Sequence, residues 1–423
     1  MTLVSARVPD TRVRRLAATL YGYTFLGDLV LLYPVYALLF SDTGLSVGQI
    51  SSLFVIWSAT GILLEVPSGA WADAVSRRLL LCLAPLLAGA GYALWVLTPS
   101  YWAFAAGFVL WGAGGALSSG ALEALVFTEL DRLDAAGRYA RTMGRARTAG
   151  VLGVLGSIGL AGPVLAVGGY PAVGAASVLA SLLAAAVATR FPEHRADRPV
   201  VTDPTAGEGD DDLGWWASLR AGLAEACADR RVRAALLLVP AVTAVWGALD
   251  EYTPLLARDT GVAGSTVPLL LLLIWAGVTV GGLLAPAGER LSTRGYAVLL
   301  GVAAVALAVG AGPRHPAGFA LLGVAFCALQ LATVLADARL QARITGPGRA
   351  TVTSVAGMAT ELAIIAVYGG YALVAGAAGN AVAFAAAAVP YLGVALWLAT
   401  SRDGRWPGRR APARRVAHVD ADG

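Results

Sequence analysis

The chain has 423 residues, of which 57% are hydrophobic and only 14% are charged. Soluble domains carry charge on about a quarter of their residues, so this composition excludes a soluble multidomain protein and indicates apolar surfaces that face lipid. The net charge is only +4, and the arginines are scattered along the chain rather than clustered with aromatic residues. This pattern excludes a nucleic-acid-binding face.

Apolar runs long enough to cross a bilayer as helices, which takes about 20 residues, recur along the whole chain. We predict twelve spans, at 17–40, 48–71, 79–97, 101–127, 144–167, 170–189, 232–257, 265–286, 295–311, 316–338, 351–374 and 378–400. The expected fold class is an all-α membrane protein embedded in a lipid bilayer.

The arginines indicate how the spans are oriented. With both termini in the cytoplasm, 29 of the 31 arginines fall in cytoplasmic segments, and only Arg258 and Arg314 lie outside. Cytoplasmic loops of membrane proteins carry such an excess of positive charge. We therefore expect a multi-pass protein of the cell membrane, inner or plasma, with both termini cytoplasmic.

A polar stretch divides the spans into two groups of six. We predict an N-terminal six-helix bundle at 1–190, a cytoplasmic linker at 191–230, a C-terminal six-helix bundle at 231–400 and a disordered basic cytoplasmic tail at 401–423. Trp215, Trp216, Leu219 and Leu223 fall on one side of a helix in the linker. This spacing predicts an amphipathic helix at the membrane surface.

A short motif recurs in the two groups. The tripeptide Asp-Thr-Gly occurs at 42–44, after the first span, and again at 259–261, after the seventh. A tryptophan follows in each case, Trp57 in the first group and Trp275 in the second. Parallel repeats of six spans are typical of secondary transporters, which bind substrate between the halves near mid-membrane.

The segment GAWADAVSRR, residues 69–78, is predicted to be a short cytoplasmic turn between the second and third spans. It resembles the motif G-x-x-x-D-[RK]-x-G-[RK]-[RK] of the Major Facilitator Superfamily, with matches at Gly69, Asp73, Arg77 and Arg78. Gly282 and Arg290 are the remnant of the family's second copy. The resemblance implies a major facilitator (MFS) fold with two pseudo-symmetric six-helix halves.

Further segments resemble one branch of that family. The fifth span contains Gly162-Pro163 and resembles the glycine and proline motif of drug-exporting antiporters. The fourth span lacks the basic residue that many proton antiporters of the family carry. The expected branch is therefore drug efflux, and the missing basic residue argues against the family's usual proton-relay scheme.

Charged residues at the cytoplasmic ends of the spans are candidates for a gate. An acid and two arginines on a short turn can bridge helices through charge-assisted hydrogen bonds that hold one conformational state. The alternative is a solvated loop, or simple pairing with loop arginines such as Arg141 and Arg145. The gate candidates are Gly69, Asp73, Arg77, Arg78, Glu65, Glu123, Asp337 and Arg290.

Acids inside the spans are candidates for binding substrate or protons, because a charge in hydrocarbon costs several kcal/mol. Asp28 lies near the middle of the first span and shares a helical face with Tyr21 and Thr24. A structural carboxyl group is the alternative. The complete set of candidates is Asp28, Glu361, Asp250, Glu251, Tyr21, Thr24, Trp246 and Gln330.

These features predict a transporter and not an enzyme. The three histidines, His194, His315 and His418, fall in loops or the tail, so the sequence predicts no catalytic, metal or cofactor site. We expect a monomer that exports a small cationic or neutral amphipathic compound, with H⁺ as the coupling ion. An importer of a sugar or other nutrient with the same fold, or a transport-inactive receptor, is the alternative.

Overall fold

The computed structural model describes residues 10–192, 194, 230–344 and 349–400, without the side chains of 10, 65–74, 230, 231 and 349–351. We call 10–194 the N-terminal half and 230–400 the C-terminal half. The predicted linker helix and tail lie outside the described residues. In the described part every regular element is a helix.

The N-terminal half contains six α-helices and one short 3₁₀ turn, Ala136–Arg138. The helices are α1 (Asp10–Asp28), α2 (Tyr36–Asp42), α3 (Val47–Ala74), α4 (Arg77–Leu97), α5 (Tyr101–Arg132) and α6 (Tyr139–Ala188).

The C-terminal half contains nine helices in its described part. They are α7 (Arg230–Asp250), α8 (Thr253–Arg258), α9 (Val267–Leu283), α10 (Ala285–Gly288), α11 (Thr293–Ala311), α12 (Gly318–Arg343), α13 (Arg349–Ala378), α14 (Asn380–Ala386) and α15 (Ala388–Thr400).

These helices account for twelve crossings. Nine segments of the described chain are long and apolar enough to span a membrane, and α9 is a shorter apolar helix. Helix α6 has 50 residues, or about 75 Å of helix, and therefore crosses twice, bending at Gly169, where φ is 63°. The α1–α2 pair, which begins with charged turns, completes the twelve crossings and confirms the predicted all-α fold.

The first span of each half is broken, which corrects the continuous helices predicted at 17–40 and 232–257. Helix α1 ends at Asp28 and α2 begins at Tyr36, while α7 ends at Asp250 and α8 begins at Thr253. In the first break, the backbone N–H of Leu32 donates to Ser177 Oγ at 3.0 Å. A side chain of α6 thus replaces a hydrogen bond that the helix would have supplied.

The turn predicted at 69–78 is shorter than expected. Helix α3 runs to Ala74 and α4 begins at Arg77, so only Val75 and Ser76 connect them. Ser76, which stands where the family motif has glycine, caps α4 by accepting the N–H of Leu79 at 3.0 Å. The motif is therefore mostly the last turns of a helix.

The two halves repeat the same helix packing. In the N-terminal half, α5 packs on α3 and α4, and α6 packs on α1 and α4. In the C-terminal half, α12 packs on α9 and α11, α13 packs on α7, and α15 packs on α11. Between the halves, α3 packs on α13 and α9 packs on α6. In each of these two contacts the second crossing of one half packs on the fifth crossing of the other, as expected of two pseudo-symmetric bundles.

A glycine allows one of these contacts between the halves. A β-carbon at Gly162 of α6 would overlap the backbone carbonyl of Ser265, just before α9. The Gly162-Pro163 pair therefore has a packing role here, since only glycine lets the two backbones approach so closely.

Candidate functional site

A cavity of about 460 Å³ lies between the two halves at mid-depth. Helices α3 and α5 form its N-terminal wall, and α13 with the end of α7 forms its C-terminal wall. Its lining residues are Trp57, Ser58, Gly61, Ile62, Trp111, Gly112, Gly115, Ala116, Ser119, Gly247, Glu251, Glu361, Ile364 and Tyr368. We call this space the central cavity.

The N-terminal wall of the central cavity is aromatic. The rings of Trp57 on α3 and Trp111 on α5 are stacked, with centroids 4.8 Å apart and planes 18° apart. A β-carbon at Gly112 would lie 3.1 Å from Thr60, so glycine lets α5 lie close to α3. The result is a broad apolar surface of indole rings.

The C-terminal wall carries two acids. Glu251 follows the last residue of α7, in the break before α8, and is 8% exposed. Glu361 lies on α13, on the same face as Ile364 and Tyr368 by their helical spacing. The cavity therefore presents carboxyl groups opposite the indoles, and none of the described residues that line it is basic.

One end of the bundle carries both Asp-Thr-Gly turns, Asp42–Gly44 and Asp259–Gly261, and we call it the DTG end. The opposite end, which carries Asp10 and Thr400, is called the terminal end. On the DTG side of the cavity, Tyr33 donates its hydroxyl hydrogen to Asp250 Oδ2 at 2.7 Å. The hydroxyls of Ser51 and Tyr252 are 2.7 Å apart. Both contacts join the halves.

An ion pair joins the halves at the DTG end itself. Arg258 Nη1 lies 2.7 Å from Asp42 Oδ1, and Arg258 Nη2 donates to the carbonyl of Leu38 at 3.2 Å. Tyr170, beside the bend of α6, donates its hydroxyl hydrogen to the other oxygen of Asp42. Asp42 thus holds two partners from opposite halves.

The predicted polar face of the first span packs against α6 and does not line the central cavity. Thr24 Oγ1 bonds to the carbonyl of Ala146 at 3.0 Å. A β-carbon at Gly150 would overlap the Asp28 carboxylate, so this acid lies over a glycine of α6. Tyr21 packs on an apolar cluster to which α1, α4, α5 and α6 all contribute.

Asp250, Trp246 and Gln330 lie beside the cavity, away from its lining. Asp250 accepts the Tyr33 hydroxyl. Trp246 Nε1 donates to Thr333 Oγ1 of α12 at 3.0 Å, so its ring faces its own half. Gln330 lies against Gly281 of α9.

The gate candidates lie at or toward the terminal end. Arg77 donates to Thr128 Oγ1 of α5 at 3.1 Å, and Arg78 follows it in the first turn of α4. Glu123, Asp337 and Arg290 are exposed. The backbones of Glu65, Gly69 and Asp73 lie in α3, but their side chains lie outside the described residues.

Sequence analysis missed the residues that join the halves: Tyr33, Ser51, Tyr252 and the Asp42–Arg258 pair. One signal was available, because Arg258 is one of only two arginines outside the predicted cytoplasmic segments and directly precedes the second Asp-Thr-Gly. The polar tyrosines gave no such signal. Within the described ranges, no group of three or more histidine, cysteine or acidic side chains is placed to hold a metal ion.

Several solved structures share this fold. A bacterial homologue of the human lysosomal transporter Spinster, inward-facing and occupied, superposes with a TM-score of 0.71 at 15% identity, over 96% of this chain and 99% of that chain. A mutant of a nucleoside transporter gives 0.68 at 12% identity, over 91% and 99%. A D-xylose–proton symporter gives 0.64 at 16% identity, over 92% and 97%.

The sequence itself places the chain in a family. A search of curated proteins gave no significant match. In contrast, the sequence profile of the Major Facilitator Superfamily matches residues 19–366, from α1 into α13. Together with the twelve crossings, the paired bundles and the cavity between them, this match shows that the chain belongs to the Major Facilitator Superfamily of membrane transporters.

Proposed function

We propose that this transporter exports a small cationic or neutral amphipathic compound in exchange for protons. The observation that carries the proposal is the central cavity, where Glu251 and Glu361 of one half face the stacked Trp57 and Trp111 of the other. Such a site offers charge and aromatic surface to the same ligand.

The chemistry of the walls favours this substrate class. Indole faces attract cations as well as apolar rings, and the attraction grows when the site excludes water. Carboxylates add direct charge pairing with an ammonium or amidinium group. Because the part of the lining that the structure describes includes no arginine, lysine or histidine, an anionic substrate would find no counter-charge there.

The acids also offer a route for coupling. A carboxyl group held in a low-dielectric site binds a proton more readily than one in water, and a protonated Glu251 no longer pairs with a cation. Proton and substrate therefore compete for one group, which is the basis of exchange. We assign the same role to Glu361, and keep Asp28, outside the cavity lining, as a separate proton site to be tested.

Alternating access requires that the cavity open to one side at a time. The Tyr33–Asp250 and Asp42–Arg258 contacts hold the halves together on the DTG side. We propose that the DTG end faces the outside and that the terminal end is cytoplasmic, which agrees with the arginine distribution. The inward-facing Spinster homologue supports assigning this conformer to an inward-facing state. We keep the gate candidates of the terminal end as the contacts that close it in the other state.

Flux in proteoliposomes tests the coupling. Ethidium serves as the cationic aromatic probe, and a pH gradient of either sign is imposed across the bilayer. We expect ethidium to move against the proton flow in the parent, and Glu251→Gln to reduce gradient-driven flux by about tenfold or more. Glu289→Gln, an exposed acid in the turn after α10, is the matched control and should leave flux unchanged.

The outcomes separate the proposal from its alternatives. Ethidium movement in the same direction as the protons would contradict exchange and indicate symport. Flux that ignores the gradient in the parent would remove proton coupling. Binding of ethidium without any flux would favour a transport-inactive receptor.

A further inference from the structure

A second cavity, of about 760 Å³, lies at the terminal end within the N-terminal half. Four chain segments converge there: the first turns of α1, the start of α4, the end of α5 and the residues that follow α6. Five arginines line it: Arg12, Arg15, Arg78, Arg132 and Arg190. We call it the basic cavity.

Among the described residues, the lining of the basic cavity carries more basic than acidic side chains. One carboxylate, Glu129, lies among the five guanidinium groups, and it is buried with 4% exposure. Glu129 Oε1 accepts the backbone N–H of His194 at 3.1 Å, and its carboxylate also lies 3.1 and 3.2 Å from the Nδ1 of that ring. This acid therefore holds His194, which follows α6, and the formal charge of the described lining residues is positive.

The five guanidinium groups are exposed to solvent and carry like charges, and an anion lying between them would offset their mutual repulsion. Arginine presents a planar set of donors that matches the oxygens of a phosphate group, often with two parallel hydrogen bonds. The cavity also has apolar walls, at Leu16, Leu133 and Phe191, which suit the carbon skeleton next to such a group. The cavity lies where four helices begin or end at the membrane surface, which is the level of the lipid headgroups.

We propose that the basic cavity binds a phosphate ester, carried by a lipid headgroup or by a soluble compound. The site is separate from the central cavity: no lining residue is shared, and the lining charge has the opposite sign. It therefore recognises a ligand other than the transported compound and holds the terminal ends of α1, α4 and α5 together around it.

Thermal unfolding of the full-length protein in a neutral detergent tests this site without any transport assay. Three probes are titrated: dioctanoyl phosphatidic acid, inorganic phosphate and dioctanoylglycerol, which has the same acyl chains without phosphate. We expect phosphatidic acid to raise the apparent unfolding temperature of the parent in a saturable way, because a ligand that binds only the folded state stabilises it. Dioctanoylglycerol should have no such effect.

Two variants locate the effect. Arg15→Gln with Arg132→Gln removes two guanidinium groups from the lining and should raise the half-saturating concentration by about tenfold or more. The matched control, Arg147→Gln with Arg294→Gln, removes two exposed arginines from the same end of the protein and should respond as the parent does. If the first variant does not fold, Arg12→Gln with Arg190→Gln takes its place.

Each outcome decides one point. Saturation by phosphatidic acid alone identifies a lipid headgroup, and equal saturation by inorganic phosphate identifies a soluble phosphate, so both support the site. A parent that responds to neither, or lining and control variants that respond alike, would overturn it.

Discussion

The two Asp-Thr-Gly turns have the same local structure but different partners. Gly44 and Gly261 both have positive φ, 89° and 83°. In each turn the threonine hydroxyl, Thr43 or Thr260, donates to a carbonyl of the preceding short helix, at 2.8 and 2.7 Å. Each turn thus ends its helix and reverses the chain in the same way.

The aspartates show the difference. Asp42 binds Arg258 of the other half, whereas Asp259 accepts a hydrogen bond at 2.9 Å from Asn380 of its own half. The residue before each turn explains this, because Arg258 precedes the second turn and the much shorter Ser41 precedes the first. The difference between Arg258 and Ser41 therefore accompanies a contact between the halves at one aspartate and a contact within one half at the other.

The largest expected effect on stability comes from the positive-φ glycine that the two turns share. Gly44→Ala and Gly261→Ala each force an L side chain into a left-handed conformation and should cost about 1–2 kcal/mol of stability. Because neither site has a steric neighbour within 4 Å, the two losses should be similar. Thermal unfolding in detergent measures them, with Gly115→Ala in α5 as a control that should not destabilise. A loss in only one half would contradict the equivalence of the turns.

The next effect tests the contact between halves, which Asp42 makes and Asp259 does not. Arg258→Ala should shift the equilibrium toward an open DTG end by about 1 kcal/mol, because the pair is partly exposed to solvent. Ser41→Ala, at the equivalent position, should have no effect. Both are made in a protein with Ser58→Cys in the central cavity and probed from the DTG side of sealed vesicles with an impermeant thiol reagent. The labelling rate should rise about fivefold for Arg258→Ala only.

A smaller effect is expected from removing the hydrogen bond that each aspartate accepts within its own half. Tyr170→Phe removes the hydrogen bond to Asp42, and Asn380→Ala removes the one to Asp259. Each should lower the free energy of unfolding by about 0.5–1 kcal/mol. Only Tyr170→Phe should also change the labelling rate, because Asp42 alone bridges the halves. Equal labelling of both variants would show that the two aspartates act alike.

The smallest effect is that of salt. Raising the ionic strength from about 0.05 to 0.5 M screens partly exposed pairs, and the labelling rate of the Ser58→Cys parent should rise no more than about twofold. With Arg258→Ala the rate should be independent of salt. A salt response that persists in this variant would assign the gate to other charges.

Most of the fold follows from local patterns in the sequence. Apolar length and arginine distribution are properties of single segments, so the twelve crossings and the repeat were predictable. The break after Asp28 was not, because the apolar run continues through residues 29–33. The break after Asp250 falls in the polar segment 250–254, which was read as part of one continuous helix. What permits the first break is a distant serine, Ser177, which hydropathy does not reveal.

The candidate site was predictable only as a set of residue types. Acids at mid-depth are visible in sequence, and the structure brings Glu251 and Glu361 into the same cavity. The pairing of Trp57 with Trp111 depends on Gly112, whose small size matters only once α3 and α5 are adjacent. Asp28 shares a face with Thr24 as expected, but which helix that face meets is a matter of tertiary packing.

The break in the first span also bears on how the protein is made. A helix that enters the bilayer with an interrupted hydrogen-bond ladder carries main-chain groups that lipid does not satisfy. The acceptor for the Leu32 amide, Ser177, lies 145 residues further along the chain, in the sixth crossing. During synthesis the first crossing therefore remains incomplete until the sixth has been inserted, so the N-terminal half matures as a unit and not helix by helix.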